Sequence, residues 1–500
     1  MPYPPTAEQQ SAIDAFTTNG DLVIQAGAGT GKTSTLRMLA ESQPYRRGLY
    51  VAYNRAIAHD AARTFPRQTS CSTAHSLAFR AVGHQFKHRL DAPRQPARIV
   101  AELLGITGQH QLGTDVPILA PQQVARIVNA TVDRFCRTAD HLLDAHHVPQ
   151  VNGFTTGAAE TALAQLITPL ARKAWDDLTT HNGRLKFQHD HYLKIWQLSY
   201  PRLPCDYLLL DEAQDADPVI ASIVGNQQCQ RIAVGDAAQA IYAWRGAIDV
   251  MSKWPGTQVQ LSRSFRFGPA VADEANRWLQ ILESSLRLTG HDPIHSRLAP
   301  LAEPDAILCR SNAGAIREVM ISLTQGRRTA LVGGGEQIRK LAAAAVTLKA
   351  GLGTDHPELF AFRTWTEVQD YVQQDDAGAD LKTFVDLIDD YGPDSIMAAL
   401  DQLVDEPGQS RGPMALAVDA EVTVSTAHKA KGREWPTVRI SDDFYEPKTL
   451  TDGTQAYVDP AEARLAYVAV TRARDTLDRG SLRWIDTYQP GPRLRQDYDR

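Results

Sequence analysis

The sequence predicts an α/β fold, and three stretches carry that prediction. LVIQAGAGTGKTSTL, from Leu22 to Leu36, passes from a short apolar strand through a glycine-rich turn into a helix. CDYLLLDEAQDADPVI, from Cys205 to Ile220, is a second apolar strand that ends in adjacent acids. VTVSTAHKAKGREWPTVRISDDF, from Val422 to Phe444, repeats the order of strand and polar turn near the other end of the chain. Short unbroken apolar runs followed by polar turns and helices read as the buried strands of an α/β fold, with binding groups at their C-terminal ends.

The first stretch is a phosphate-binding loop. Ala26, Gly27, Ala28, Gly29, Thr30, Gly31, Lys32 and Thr33 follow the G-x-x-x-x-G-K-[ST] pattern with Ala26 in place of its first glycine. Backbone N–H groups and the helix N-terminus can surround a polyphosphate, Lys32 can reach the β and γ phosphates, and the Thr33 hydroxyl can ligate Mg2+. ATP and Mg2+ are therefore the cofactors expected.

Composition limits what the rest can be. With 500 residues, 43% of them hydrophobic, the chain is long enough for two or more cored domains. Its 52 Lys and Arg stand against 58 Asp and Glu, a formal net charge of -6, so any nucleic-acid track must be local. The five cysteines form no compact metal spacing or disulfide framework, as suits a reducing compartment. No secretory segment opens MPYPPTAEQQ, and no apolar run is long enough to cross a membrane, so an intracellular protein with no membrane partner is expected, cytoplasmic or nucleoid-associated if bacterial.

In PPTAEQQSAIDAF, Thr6 can cap a helix, and an amide at Gln9 ahead of the phosphate loop can read both edges of adenine. With the loop at this spacing, the segment resembles the Q motif of UvrD/Rep-like superfamily 1 helicases. The resemblance implies two RecA-like P-loop domains with ATP between them and a single-stranded DNA track moving 3' to 5'.

Further motifs follow in the family's order. RGLYVAYNRAIAHDAA and CSTAHSLAFR each read as a strand end opening a helix, and resemble the DNA-contacting Ia and Ic motifs. Asn54 and Arg55 would engage phosphates beside Tyr53, and Thr73 and His75 would position the strand or couple it to nucleotide. In DEAQD, Asp211 fits the magnesium role and Glu212 the general base, with Gln214 and Asp215 organising the phosphate. After the strand RIAVGD, motif III would use Gln239 as the γ-phosphate sensor, Tyr242 and Trp244 as base-stacking surfaces and Arg245 as a phosphate or inter-motif contact.

The second core resembles the family too. Phe265 would stack on adenine and Arg266 would neutralise phosphate, as in motif IV. Thr426 and His428 would face DNA in motif V, with Lys431 and Gly432 in the turn and Glu434 on the ribose. HKAKG and DDF resemble the core of F-box-containing DNA helicases, with no F-box evident. In YVAVTRAR, Arg472 would be the γ-phosphate arginine finger, and Arg464 and Arg474 structural or coupling ions.

The expected division is a first core at 1–84 and 201–257 around a helical 1B-like insertion at 85–200. A second core at 258–349 and 416–485 surrounds a reduced 2B-like insertion at 350–415, and 486–500 form a flexible tail. Helical stretches are expected in QQVARIVNATVDRFCRTADHLL and AAETALAQLITPLARKAWDDL, and FKHRLDAPRQPAR has a basic character suited to DNA or to a solvated surface. Nine of the fifteen histidines fall between His84 and His191, but neither His146 and His147 nor His189 and His191 belong to a Cys/His or HExxH ligand set, so exposure, phosphate contact or ordinary hydrogen bonding is expected of them.

The function expected is an ATP-dependent 3' to 5' DNA helicase or translocase in repair, recombination or phage-related genome conflict. Its substrates would be single-stranded and tailed or forked duplex DNA, with room for a nuclease or repair-protein partner. A DNA-stimulated ATPase that remodels protein–DNA complexes with little unwinding is the mechanistic alternative, and a non-enzymatic DNA-binding assembly module the other; no residue directly excludes RNA.

Overall fold

The computed structural model describes residues 4–93, 95–114, 116–151, 153–154, 156–241, 251, 254–354, 356, 359, 362–374, 379–405, 419–450 and 453–489, with the side chains of 373–374 and 379–383 left aside. The chain divides into two compact units, Met1–Ala26 with Gly31–Leu261 and Gly27–Thr30 with Ser262–Arg500.

The first unit holds strands β1 (Leu22–Ala26), β2 (Gly48–Ala52), β3 (Thr69–Thr73), β4 (Tyr207–Leu210), β5 (Gln230–Gly235) and β6 (Thr257–Leu261). They form one sheet in the order β3-β2-β4-β5-β1-β6, and every pair is parallel. Alternation along the strands sends Leu22, Ile24, Tyr50, Leu209 and Ile232 to one face, under helices Ala7–Thr17 and Lys32–Ser42. Val23, Val51, Leu208, Leu210 and Ala233 go to the other face.

Segment 85–200 covers that second face. Val128, Phe135, Leu163 and Phe187 lie in one hydrophobic cluster with the sheet residues, so the helical insertion shares a core with the sheet instead of enclosing one of its own. Its helix Pro121–Phe135 ends well before the expected Leu143. The carbonyls that would continue it are turned away: Lys194 Nζ donates to Thr138 O at 2.9 Å and to Asp140 O, and Gln197 Nε2 to Ala139 O at 3.2 Å. Helix Gly157–Thr179 runs its expected length with Pro169 inside it.

The basic stretch from Phe86 also differs from expectation. Arg89 is buried, and its guanidinium donates to the carbonyls of Asp177, Leu178, Thr180 and Leu185, which makes it a clasp for the end of a helix. Of the three settings expected for the paired histidines, His147 and His191 take ordinary hydrogen bonding, buried and bonded to Thr138 and Asp144 and to Gln188 N respectively.

The second unit holds β7 (Arg297–Leu298), β8 (Ala306–Cys309), β9 (Thr329–Leu331), β10 (Val422–Thr426), β11 (Trp435–Ile440) and β12 (Ala473–Asp478), again all parallel, in the order β7-β12-β11-β8-β10-β9. The α/β class is thus the one the sequence predicts. The boundary expected at 257 moves, because β6 pairs with β1 from Leu22↔Thr257 to Ala26↔Leu261 and so belongs to the first sheet.

Between 350 and 415 the described helices are Trp365–Gln374, Ala379–Tyr391 and Pro393–Asp401. Trp365, Val368, Leu387, Ile388 and Ile396 pack in the same cluster as Ile307, Ile316 and Leu331, so these helices cover the second sheet. Of the tail expected at 486–500, Tyr488 is anchored by accepting from Val458 N at 3.2 Å; residues from 490 onward lie outside the described part. All five cysteines are free thiols. No helix among the described residues is long and apolar enough to cross a membrane.

Candidate functional site

The loop after β1 has the backbone its sequence asks for. Gly29 and Gly31 take φ of +74° and +80°, a region that costs an L side chain about 1–2 kcal/mol. Gly31 is the N-cap of helix Lys32–Ser42 and brings no capping side chain. The first-turn N–H groups are consequently left to an anion, and a polyphosphate fits that cradle.

Two further strand ends bring acids to this unit. Asp211 follows β4, its backbone N–H donating to Val51 O of β2 at 3.1 Å. Its carboxylate is buried, with Oδ1 accepting from Glu212 N at 2.9 Å and Oδ2 from the Tyr50 hydroxyl at 2.5 Å. Burial above all, and then the neighbouring Glu212 charge, raise the Asp211 pKa to about 6. Burial, together with the Asp211 charge, pushes the Tyr50 phenol well up, so Tyr50 is always the donor. A buried carboxylate beside a second one is stabilised by a cation, so the donor set fits Mg2+.

Glu212 is held in the left-handed region at φ 50°, ψ 46°, a conformation uncommon outside glycine and of the kind that clusters at functional sites. Its Oε1 lies 4.0 Å from Lys32 Nζ, and its Oε2 accepts from Gln214 Nε2 at 2.5 Å. Gln214 in turn accepts from Asp236 N at 3.0 Å, and Asp236 Oδ2 accepts from Gln239 Nε2 at 2.7 Å. One chain of hydrogen bonds, buried from Gln214 onward, therefore runs from the expected base to the expected phosphate sensor.

Tyr50 and Asp236 were not singled out in the sequence. Tyr50 reads there as one more apolar strand residue, and only the register Tyr50↔Leu209 shows its hydroxyl beside the acid that follows β4. A signal for Asp236 was present, since GD after a strand mirrors DE after β4.

The other expected residues of this unit have defined places. Gln9 is buried as the third residue of a capping box: its Oε1 accepts from Thr6 N at 3.0 Å, and its Nε2 donates to Thr35 Oγ1 at 3.2 Å. One N–H of its amide is thus committed to Thr35, and the other is the group an adenine ring could use. Asn54 caps helix Arg55–Thr64 through Ile57 N at 2.9 Å and is exposed with Tyr53 and Arg55. Thr73 caps helix Ala74–Ala81, and His75 Nε2 lies 3.3 Å from Asp190 Oδ1. Thr33 is exposed at the start of its helix. Tyr242, Trp244 and Arg245 lie outside the described residues.

The second unit gathers a cluster of its own. Arg266 Nε donates to Glu434 Oε2 at 2.6 Å and its Nη1 to Thr471 O at 3.2 Å, with Arg474 4.0 Å from Glu434 Oε1. Phe265 is exposed, its ring 5.6 Å from that of His291. Arg472 is buried, donating to Val468 O at 2.9 Å, Arg433 O at 3.2 Å and Thr471 Oγ1 at 2.9 Å. Thr426 caps the short helix Ala427–Ala430, on which His428 is half-buried, and Gly432 follows at φ +81°. Arg464 is half-buried on helix Pro460–Val470.

Comparison with known proteins gives this arrangement its context. Residues 9–245 match a family described as AAA domain, and residues 355–478 match the UvrD-like helicase C-terminal domain. The chain is similar to F-box DNA helicase 1 of Gallus gallus, 30% identical over 516 residues that cover 94% of this chain and 48% of that protein. It is also similar to F-box DNA helicase protein 1 of Schizosaccharomyces pombe, 28% identical over 520 residues, 94% of this chain and 57% of that one. ATP-dependent DNA helicase UvrD2 of Mycobacterium tuberculosis is 28% identical over 342 residues, 57% of this chain and 48% of the other. The chain spans about half the length of these curated relatives. One match lies on the phosphate-loop unit, the other on the second sheet, and the similarity to helicases runs through both, so the matches together support a UvrD-like helicase of superfamily 1.

Proposed function

We propose that the protein is an ATP-hydrolysing motor that moves 3' to 5' along single-stranded DNA and opens tailed or forked duplexes. The observation that supports this best is the grouping of Lys32, Asp211 and Glu212, with a lysine 4.0 Å from one carboxylate and a second carboxylate buried beside it. Lys32 would bind the terminal phosphates, and the first turn of its helix would hold their oxygens through backbone N–H groups. Asp211 and Thr33 would hold Mg2+, which when bound supplies charge neutralisation of the phosphates. Glu212 would orient a water and take its proton. Gln214, bonded to Glu212, would fix that carboxylate's direction and tie it to Gln239 through Asp236. Arg266 and Arg472, on the resemblance of their motifs to those of the family, would stabilise the charge that develops on the phosphate.

Glu212→Gln removes the proton acceptor at nearly constant volume. Steady-state ATPase should fall by about 100-fold or more while ATP and DNA binding persist, because general-base catalysis contributes on that order. Unwinding of 3'-tailed duplex should vanish with it. Retention of near-parental ATPase would overturn the assignment, and unwinding of 5'-tailed duplex alone would overturn the polarity.

A second reading, translocation that strips proteins from DNA with little strand separation, draws on the helices between 365 and 401. Their residues Trp365, Val368, Leu387, Ile388 and Ile396 pack into the core of the second sheet, which commits that face of the helices to the sheet and not to a duplex. Displacement of a bound protein block from DNA, at parental ATPase and without unwinding of the tailed duplex, would favour it.

A further inference from the structure

We propose that Asp140, His146 and His147 form a binding site for a divalent first-row cation, and that Zn2+ is the ion their chemistry suits. In sequence the three are D-x5-H-H, which matches no familiar ligand spacing. The fold supplies what the spacing lacks: a short 3-10 turn, Ala145–His147, folds both imidazoles back over the loop that follows helix Pro121–Phe135. His146 Nε2 lies 2.8 Å and His147 Nε2 3.0 Å from the same oxygen, Asp140 Oδ2, with the ring centroids 3.9 Å apart. All three ligand atoms fall within 4.8 Å of one another.

Two imidazole nitrogens and a carboxylate oxygen are a borderline donor set that favours Zn2+ over Mg2+ or Ca2+. Tetrahedral bonds of about 2.0–2.2 Å place neighbouring ligand atoms roughly 3.3 Å apart. The two nitrogen–oxygen separations need to widen by only a few tenths of an ångström to reach that. Three protein ligands leave a position for water, and the Thr138 hydroxyl stands 3.1 Å from His147 Nε2 at the edge of the site.

The surroundings hold the ligands in place before any ion arrives. His147 is buried edge-on to Phe135 at 5.2 Å, and Lys194 grips the Thr138 and Asp140 carbonyls from below. His147 Nδ1 is 3.1 Å from both the backbone N–H and the carbonyl oxygen of Asp144. Either tautomer is therefore served without turning the ring. With a proton on Nε2 shared with Asp140, Nδ1 accepts from the N–H; with Nε2 on a metal, Nδ1–H donates to the carbonyl, as is usual behind a ligating histidine. His146 and Asp140 keep solvent-facing edges through which an ion can enter. The bound ion would staple the loop between helices Pro121–Phe135 and Gly157–Thr179.

The test is calorimetric titration of Zn2+ into the untagged, chelator-stripped full-length protein, in Mg2+ buffer without nucleotide, with thermal melting beside it. One saturable site per chain is expected from this cluster, with a rise in Tm on binding. His146→Ala and Asp140→Asn should each weaken that site by roughly tenfold or more, since each removes a ligand. His88→Ala, in the separate His88 and His181 ring pair 4.8 Å apart, should leave it unchanged. His146 is exposed, so its loss should spare the metal-free Tm. Absence of stoichiometric Zn2+ binding, or binding that both ligand variants leave intact, overturns the proposal.

Discussion

The Tyr50 hydroxyl donates to Asp211 Oδ2 at 2.5 Å, so a residue in the middle of one strand orients the acid at the end of its neighbour. Asp211 is buried, and a hydrogen bond to a charged group is worth about 1.5–3 kcal/mol. The direction of the Asp211 carboxylate therefore depends on a residue of the neighbouring strand.

Tyr50→Phe should remove that donor with little change in packing. The metal-free protein should lose about 1.5–3 kcal/mol of stability, because the buried carboxylate has lost a charged hydrogen bond. Mg2+ with ADP should recover part of the loss, since a cation at Asp211 supplies the missing neutralisation. Thermal melting with and without Mg2+ and ADP reads this out, and an equal deficit in both conditions would show that Tyr50 acts on packing alone.

Gln214 occupies the next link. Gln214→Ala takes the acceptor from the buried Asp236 N–H and the donor from Glu212, a cost of about 1–3 kcal/mol in stability. In steady-state ATPase the loss should fall on kcat with KM for ATP little changed, because the phosphate loop is untouched. Gly235→Ala offers a second route to the same state: a Cβ there would stand 2.1 Å from Gln214 Oε1 and must displace it. Both variants should lose kcat together, and a normal Gly235→Ala enzyme would break the link.

His191 sets the acid limit of the first unit. Burial first of all lowers its pKa to about 4, and its Nδ1 accepts from Gln188 N at 3.0 Å, which requires the neutral ring. The unfolded chain, near 6.5, binds the proton first, so the stability this group supports is present above about pH 6.5 and is lost as pH falls toward 4. His191→Asn keeps an acceptor and does not titrate. The wild type should lose roughly 2–3 kcal/mol more than this variant between pH 7 and pH 4, as chemical denaturation at each pH would measure.

Much of this was legible in the chain itself. Strand, turn and helix coincide at Lys32, and a buried strand precedes Asp211, so local pattern and chemistry agree on where those groups stand. Residues whose roles come from packing across elements were not legible. Arg89 reads as a basic surface residue until the carbonyls of 177–185 fold around it, and Asp140 gains its histidine neighbours only once the turn Ala145–His147 folds back beside it. The helices near 365–401 were legible as helices, but their burial against β8 and β9 depends on contacts distant in sequence.

Arg266 and Arg472 share an expected role in neutralising phosphate, and their settings separate what each should lose. Arg472 is buried and binds Val468 O, Arg433 O and Thr471 Oγ1, so it fastens the turn after helix Pro460–Val470 to the segment before β11. Arg266 pairs with Glu434, whose carboxylate is partly exposed, and solvent leaves such a pair worth at most about 1 kcal/mol. Arg266→Ala should therefore keep a near-parental Tm while losing ATPase, chiefly in kcat. Arg472→Ala should lose both, with a stability deficit of about 2–4 kcal/mol from the lost charged hydrogen bonds and the space left by a buried side chain. Arg472→Lys restores charge without the three-way geometry, and should recover neither Tm nor rate in full. Melting and steady-state kinetics on the three variants decide the matter: if Arg472→Ala melts like the parent, its guanidinium is free to serve phosphate alone, and the bonds to 433 and 468 hold nothing in place.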